Sequence, residues 1–353
     1  MTTSSTLLVS RGLSSESAAQ PSNVGISARS LSVLRTPGAR LIVRRLLSAV
    51  PVLFGVTLLT FFIVNLMPGN AAQHLLGAEA TAEQVAQLEA QLHLDRPVWE
   101  RYTRWLGDTL VGDLGKSLSG QQVGDLVAER LPVTLGLVGY AFVLALGFAV
   151  PVALLAAHGP NRFVDRLSMV LSMIGLSVAN YVLALLLVLV FAVNLAILPA
   201  IGFVPLSESV SGNIRSLTLP ALAIAFPLFG FYTRFLRGDL LEQMYREDYV
   251  VTASAKGLSP WKVLVRHAFR NSLFGLLTLV GLNFGTIVGG TVVIEQIFAL
   301  PGIGQLLLQA INTRDVVMVQ AVVLLLAVIT VLANLLVDLL YAVLDPRIRY
   351  DHH

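Results

Sequence analysis

The chain has 353 residues, 55% of them hydrophobic and only 13% charged, against about 25% charged in ordinary soluble domains. Long charge-free runs exclude a soluble globular class, and the absence of cysteine excludes disulfides and thiolate metal sites. The net charge of +3 comes from Lys and Arg confined to segments between apolar runs, which is the mark of membrane topology rather than of nucleic-acid binding.

Residues 1–40 are rich in Ser, Thr and Ala without apolar periodicity and read as a disordered tail. The first charge-free run, Leu46–Met67, is of span length and has no small-residue cleavage site, so it is not a secretory signal. Further charge-free runs follow at Leu131–Ala157, Ser216–Thr233, Asn271–Ile294 and Val316–Val337. Leu167–Ser207 is also uncharged but too long for one span, and Asn194, Pro199, Gly202 and Pro205 break its far end. It predicts a helix over Leu167–Val193 followed by a non-spanning segment. A bilayer core of about 30 Å needs roughly 20 apolar helical residues, and only helices or closed barrels satisfy the backbone in lipid. The expectation is an all-α polytopic membrane protein with six transmembrane helices. Six Lys and Arg precede the first span, two lie between spans two and three, seven between four and five, and two after the last. Five fall in the long segment after span one, so the positive-inside rule places both termini in the cytoplasm.

The segment 68–132 is then external. Thr81-Ala82-Glu83 opens a short helix with Val85, Leu88 and Leu92 on one face, and Trp99, Tyr102 and Trp105 follow at similar spacing, as in a helix lying flat on the outer leaflet. A solvated cap and a docking surface for a delivery protein fit this segment equally. Gly112–Ser117 ends like a phosphate loop, but Leu110 stands where the required first glycine would be, so ATP binding is not expected here, and if transport uses ATP another chain hydrolyses it.

The stretch 237–271 is the basic insert between spans four and five. Tyr249–Lys256 is helix-compatible and ends at Gly257, suited to the left-handed C′ position. Ser259 and Pro260 can open a second helix, with Trp261, Leu264, Val265 and Ala268 on one face. The small residues Thr252, Ala253, Ser254 and Ala255 would let a partner groove approach closely. Span five carries Gly281, Gly285 and Gly289 at four-residue spacing, a pattern for close helix packing in lipid and, second to that, for lining a path. Asn283, Gly285, Gly289 and Glu295 are the translocation-path candidates. Asp338, near the end of span six, is a further intramembrane acid, and such groups are costly at the bilayer centre.

The insert resembles the EAA loop of ABC importer permeases in the dipeptide/oligopeptide group. The family's two small residues and a glycine four positions later fall on Thr252, Ala253 and Gly257; Val251 replaces the acidic first residue, and Phe269-Arg270 the late Leu-Pro. Arg44–Asn70, Leu94–Pro97 with Tyr102 and Trp105, Gly112–Ser117, Leu131–Leu135, Glu295–Gly304 and Asp338–Arg349 are similar to the B-type permease of that group, so the resemblance covers 41–349. It leaves the tails 1–40 and 350–353 outside. The proline-rich element and Trp-Gly signature of the C-type partner are absent.

The resemblance implies a type I importer permease fold and a non-enzymatic subunit in a bacterial cytoplasmic membrane. It implies a second, C-type permease, two ABC ATPase subunits or a fused ATPase, an extracytoplasmic substrate-binding protein, and a peptide substrate. ATP and Mg would be used by the ATPases, with no cofactor held by this chain. The coupling contacts would be Tyr249, Val251, Thr252, Ala253, Ala255, Lys256, Gly257 and Leu258. Nickel, glutathione or another small solute is the alternative cargo. An ion-coupled secondary transporter is the rival from another class, and it would need ionisable groups at mid-span.

Overall fold

The computed structural model describes residues 37–66, 76, 80–91 and 96–344. Residues 1–36 of the expected 1–40 tail, the tail 350–353 and residues 345–349 of the Asp338–Arg349 motif therefore lie outside the described residues, as do Met67–Asn70 and Leu92–Asp95, while residues 37–40 of the expected tail belong to the first helix. The described chain is helical throughout: α1 Pro37–Leu66, α2 Ala82–Gln91, α3 Val98–Leu110, α4 Val123–His158, α5 Phe163–Ser177, α6 Asn180–Leu187, α7 Val210–Arg246, α8 Asp248–Ala255, α9 Pro260–Val263, α10 Phe269–Ile297, α11 Ile303–Asn312 and α12 Val316–Leu344. π-Helical turns extend α6 over Val188–Asn194 and join α9 to α10 over Leu264–Ala268.

Five stretches are long and apolar enough to cross a bilayer among the described residues, and α5 with α6 supplies a sixth if the bent pair counts as one. That pair corrects the expectation of a single helix over Leu167–Val193. The chain breaks at Val178–Ala179, both in extended conformation, and turns by 104°. The pair still carries the chain across. Asp165 meets Arg237, and the Gly175 backbone lies against the Phe226 carbonyl. Beyond the break, Ile197 accepts from Arg215 at 3.1 Å. α5 and α6 thus retrace α7 from its end to its beginning.

Direction can be read for the other spans too. Thr134 of α4 reaches Glu295 at the end of α10, and His158 at the other end of α4 meets Trp261 near the start of α10. Gly281 and Gly285 of α10 face Val337 and Thr330 of α12, so those two helices are antiparallel. Arg45 and Asp338 form a two-bond ion pair at 2.8 and 3.0 Å. The start of α1, the end of α12 and the insert therefore share one end of the bundle. At about 1.5 Å per residue, the 36 residues of α4 and 37 of α7 outreach the hydrocarbon and project beyond it.

The core lies between α4, α7 and α10. α4 presents Ala141, Ala145, Ala149 and Ala153 at four-residue spacing, all buried, which lets α7 approach closely. α5 closes on α7 by the same means, since a Cβ on Gly230 would stand 2.8 Å from the Ser172 carbonyl oxygen. A second apolar cluster at the far end joins Val123 and Val127 of α4 to Ile303 and Leu306 of α11 and Val319 and Val322 of α12. α2 opens with Thr81 and Gln84 capping each other's backbone amides. In α3, Tyr102 is buried against α1, sharing a 3.0 Å hydrogen bond with Thr57 and packing its ring on Phe54 and Phe61.

Candidate functional site

The insert begins where α7 stops. Glu247 is extended, and Asp248 then opens α8 with its acid in the first turn, where the helix dipole favours it. α8 ends at Lys256, and Gly257 has φ +81°, the left-handed C′ conformation its sequence position predicts. A Cβ at Gly257 would meet nothing within 4 Å, so backbone geometry alone asks for glycine there. Ser259 occupies the expected N-cap position with Pro260 after it, but its side chain makes no capping bond.

The insert has two faces. Val250, Ala253 and Val263 are buried together against Met244 at the end of α7. Ala253, expected among the coupling contacts, packs its side chain inward here. The outer face carries Val251, at 64% exposure, with Thr252, Ser254, Ala255, Lys256, Gly257 and Leu258, all exposed. An apolar side chain held in water by a short rigid helix is a candidate contact. The single apolar face expected of the second helix is also divided. The π turn rotates Leu264 and Ala268 into the core and leaves Val265 exposed, while Trp261 rests edge-on against His158 with centroids 5.1 Å apart.

Polar bonds fix the insert to both flanking spans. The Tyr249 hydroxyl donates to Gln243 Oε1 of α7 at 2.5 Å, and Asn271 Nδ2 of α10 donates to the same oxygen at 2.9 Å. Burial, reinforced by Glu247 and Asp239, raises the Tyr249 phenol above its ordinary value and keeps it a donor. Nearby, Asp165 is buried and forms a fork with Arg237, one arm of 2.9 Å, and accepts from the Asn161 amide at 2.8 Å. These pairings were not foreseen from the sequence; acid and base lie 72 positions apart on helices whose contact only the fold reveals.

The path candidates on α10 separate. A Cβ on Gly281 or Gly285 would collide with α12, so these two are packing positions. Nothing lies within 4 Å of a Cβ built on Gly289 or Gly290, and Leu282, Thr286 and Val293 are exposed on the same helix. That stripe of α10 is open in the single chain, where lipid, a partner or a solute can lie against it. Asn283 is half-buried and donates to the Leu279 carbonyl at 3.0 Å.

Glu295 is fully buried and serves otherwise. One carboxylate oxygen accepts from Thr134 at 2.6 Å and Thr291 at 3.3 Å; the other accepts from the amides of Gly304 at 2.8 Å and Gln305 at 3.1 Å. Thr134 in turn accepts from the Ile303 amide at 2.8 Å. The carboxylate thus caps the N-terminus of α11 and ties it to α4 and α10. Gly302 and Gly304 leave the room it occupies, since a Cβ on either would run into the carboxylate or the Val292 backbone.

Asp315 does the same for α12. It accepts from the Met318 amide at 3.1 Å as an N-cap and holds the failed phosphate loop through Ser117 Oγ at 2.5 Å and the Leu118 amide at 2.8 Å. The spacing Glu295–Gly302–Gly304 was visible in the sequence, but its partner Thr134 was not.

Comparison with known proteins agrees with this architecture. The family described as "Binding-protein-dependent transport system inner membrane component" matches residues 149–350, and its N-terminal membrane component matches 39–138. A putative peptide transport system permease protein of Brucella abortus is 42% identical over 312 residues, covering 88% of this chain and 99% of the relative. A dipeptide transport system permease protein of Alkalihalophilus pseudofirmus is 37% identical over 87% of the chain and 98% of its own length. A glutathione transport system permease protein of Escherichia coli O6:H1 is 36% identical, with 88% and 98% covered. With its apolar spans, both matched regions and relatives this similar over nearly their whole length, the chain belongs to the inner membrane components of binding-protein-dependent transport systems, the permease subunits of ABC importers.

Proposed function

We propose that this chain is one of two permease subunits through which an ATP-driven importer carries di- and oligopeptides into the cytoplasm. The observation that carries the reading is the two-faced insert: α8 is anchored inward by Val250 and Ala253 and offers Val251, Ser254, Ala255 and Leu258 outward. That outer face would seat in a groove of a separate ATPase subunit, with two such subunits or a fused one beneath a heterodimer of this chain and a C-type permease. ATP and Mg would act there, and this chain would hold no cofactor. The insert's end of the bundle, with both chain termini, would lie in the cytoplasm.

Closure of the ATPases would push α8, and the shared Gln243 oxygen would pass that push to α7 and α10 together. Packed helices then switch as rigid bodies between two arrangements. The open Gly289 stripe of α10 is the face we assign to the second permease and the solute, with Asn283 beside it. Peptide cargo is supported by relatives named for peptides, dipeptides and glutathione. Against an ion-coupled transporter, both acids near the span ends are engaged, Asp338 by Arg45 and Glu295 by its cap.

The test is reconstitution of the co-encoded complex in vesicles, with uptake of labelled peptides, nickel chelates and glutathione measured with and without ATP and the binding protein. Peptide uptake dependent on both is expected. ATP-independent uptake by this chain alone would overturn the proposal.

A further inference from the structure

At the end opposite the insert lies a cavity of about 540 Å³ between the 117–121 loop, the start of α4, α11 and the start of α12. That volume falls in the range of small-ligand sites. Its walls are built rather than loose. Asp315 fastens the loop through Ser117 and Leu118, and Glu295 fixes α11 by its first amides. Two charged side chains line the cavity, Asp315 and Arg130. Asp315 spends its carboxylate on the loop and on the Met318 amide. Arg130 makes no ion pair among the described residues, and its Nε is buried without a hydrogen-bond partner. A buried N–H left without an acceptor favours a partner that supplies one, and the planar fork of an arginine suits a carboxylate. The rest of the polar lining, Ser119, Gln121, Gln309, Asn312 and Thr313, brings hydroxyls and amides able to donate to an anion.

We infer that this cavity is a socket for an acidic side chain of the external binding protein, with Arg130 as its anchor. The inference rests on the proposed importer function and adds where the delivery protein grips this subunit. The cavity admits a side chain or loop tip, not a folded surface. Its place at the far end is where a delivery protein would meet the permease. The socket is also wired to the rest of the molecule. Its α11 wall hangs on Glu295 at one end of α10, and Asn271 at the other end of α10 bonds the Gln243 oxygen that holds Tyr249 of the insert. At about 1.5 Å per residue, the 29 residues of α10 join the two sites by one helix, so seating of the acid would bias the span that the ATPases move.

The test uses the full complex in nanodiscs and measures the dissociation constant of its binding protein over a range of salt. Arg130→Ala should weaken docking by about ten- to a hundredfold, the usual scale for losing hydrogen bonds to a charged group, and should flatten the salt dependence. Arg130→Lys should recover part of the affinity. Ser119→Asp, which supplies a tethered acid to the same cavity, should weaken docking without removing Arg130. Lys262→Ala, an exposed cation at the opposite end of the bundle, is the control and should dock as wild type.

Unchanged affinity and salt dependence in both Arg130→Ala and Ser119→Asp would overturn the inference. So would normal docking with selective loss of uptake for peptides bearing a free C-terminal carboxylate over amidated ones, which would make the socket a substrate site. Loss of the second permease on purification of Arg130→Ala would assign the cavity to the subunit interface and overturn it as well. If the wild-type vesicles transport without ATP or binding protein, the importer reading itself fails, whatever the variants do.

Discussion

Replacing Glu295 separates two parts that an intramembrane acid can play. Its carboxylate accepts four hydrogen bonds, two from hydroxyls and two from the first amides of α11. Glu295→Ala leaves the buried Gly304 amide and the Thr134 hydroxyl without an acceptor. Each buried donor left unpaired costs about 1–3 kcal/mol, and the vacated space adds to that, so a loss of about 3–5 kcal/mol is expected. Glu295→Gln keeps one oxygen for the two amides but turns its NH2 toward Thr134, which already accepts from Ile303 and would lose the acceptor for its own proton. A cost of about 1–2 kcal/mol follows. Gly304→Ala should resemble Glu295→Ala, because its Cβ would meet the Val292 backbone. The assay is thermal unfolding of the purified subunit in detergent, followed by tryptophan fluorescence, together with protease sensitivity at α11. The order of stability should be wild type, then Gln, then Ala. If Glu295→Ala melted with wild type yet abolished uptake, the cap would be refuted and Glu295 would belong to the path.

The remaining expectations concern pairings that differ in burial. Asp165→Asn should cost about 3–5 kcal/mol, since it strands Arg237 in a largely buried setting, whereas Asp338→Asn should cost at most about 1 kcal/mol because Arg45 is more than half exposed; comparative melting of the two variants checks both. Gly281→Leu and Gly285→Leu should lower expression and stability by forcing α10 from α12, while Gly289→Ala should fold normally and show any defect in uptake or in capture of the second permease. Gly257→Asp, a substitution at φ +81° with open space around it, should leave membrane insertion intact and abolish ATP-driven uptake, measured in the same vesicles; normal uptake would sink the coupling part given to α8.

Much of this architecture is legible in the sequence because bilayer thickness forces long apolar runs, and because Gly257 announces its turn through the one backbone conformation that glycine alone adopts freely. The break in the third span was missed for a physical reason: Ser177-Val178-Ala179-Asn180 contains no proline or glycine, and the close approach of α5 to α7 at Gly175 and Gly230, beside the break, shows only in the fold. The inward packing of Ala253 was not legible because small residues suit both an inner and an outer face, and only the packing against Val250 and Val263 tells which. Glu295 looked like a path residue since composition shows an acid near a span end but not the Thr134 hydroxyl and two amides that wait for it from other helices. The Arg45–Asp338 pair, with partners 293 positions apart, was legible only as two unrelated charges.

The central claim is that force enters at the outer face of α8. The chain has no cysteine, so a single Ser254→Cys gives one reactive position on that face. In the reconstituted complex, a short bifunctional reagent at this position should join the subunit to its ATPase partner and stop ATP-driven uptake, while Ser119→Cys at the opposite end should give no such product. Failure of Ser254→Cys to reach the ATPase, with uptake undisturbed by the reagent, would contradict the account.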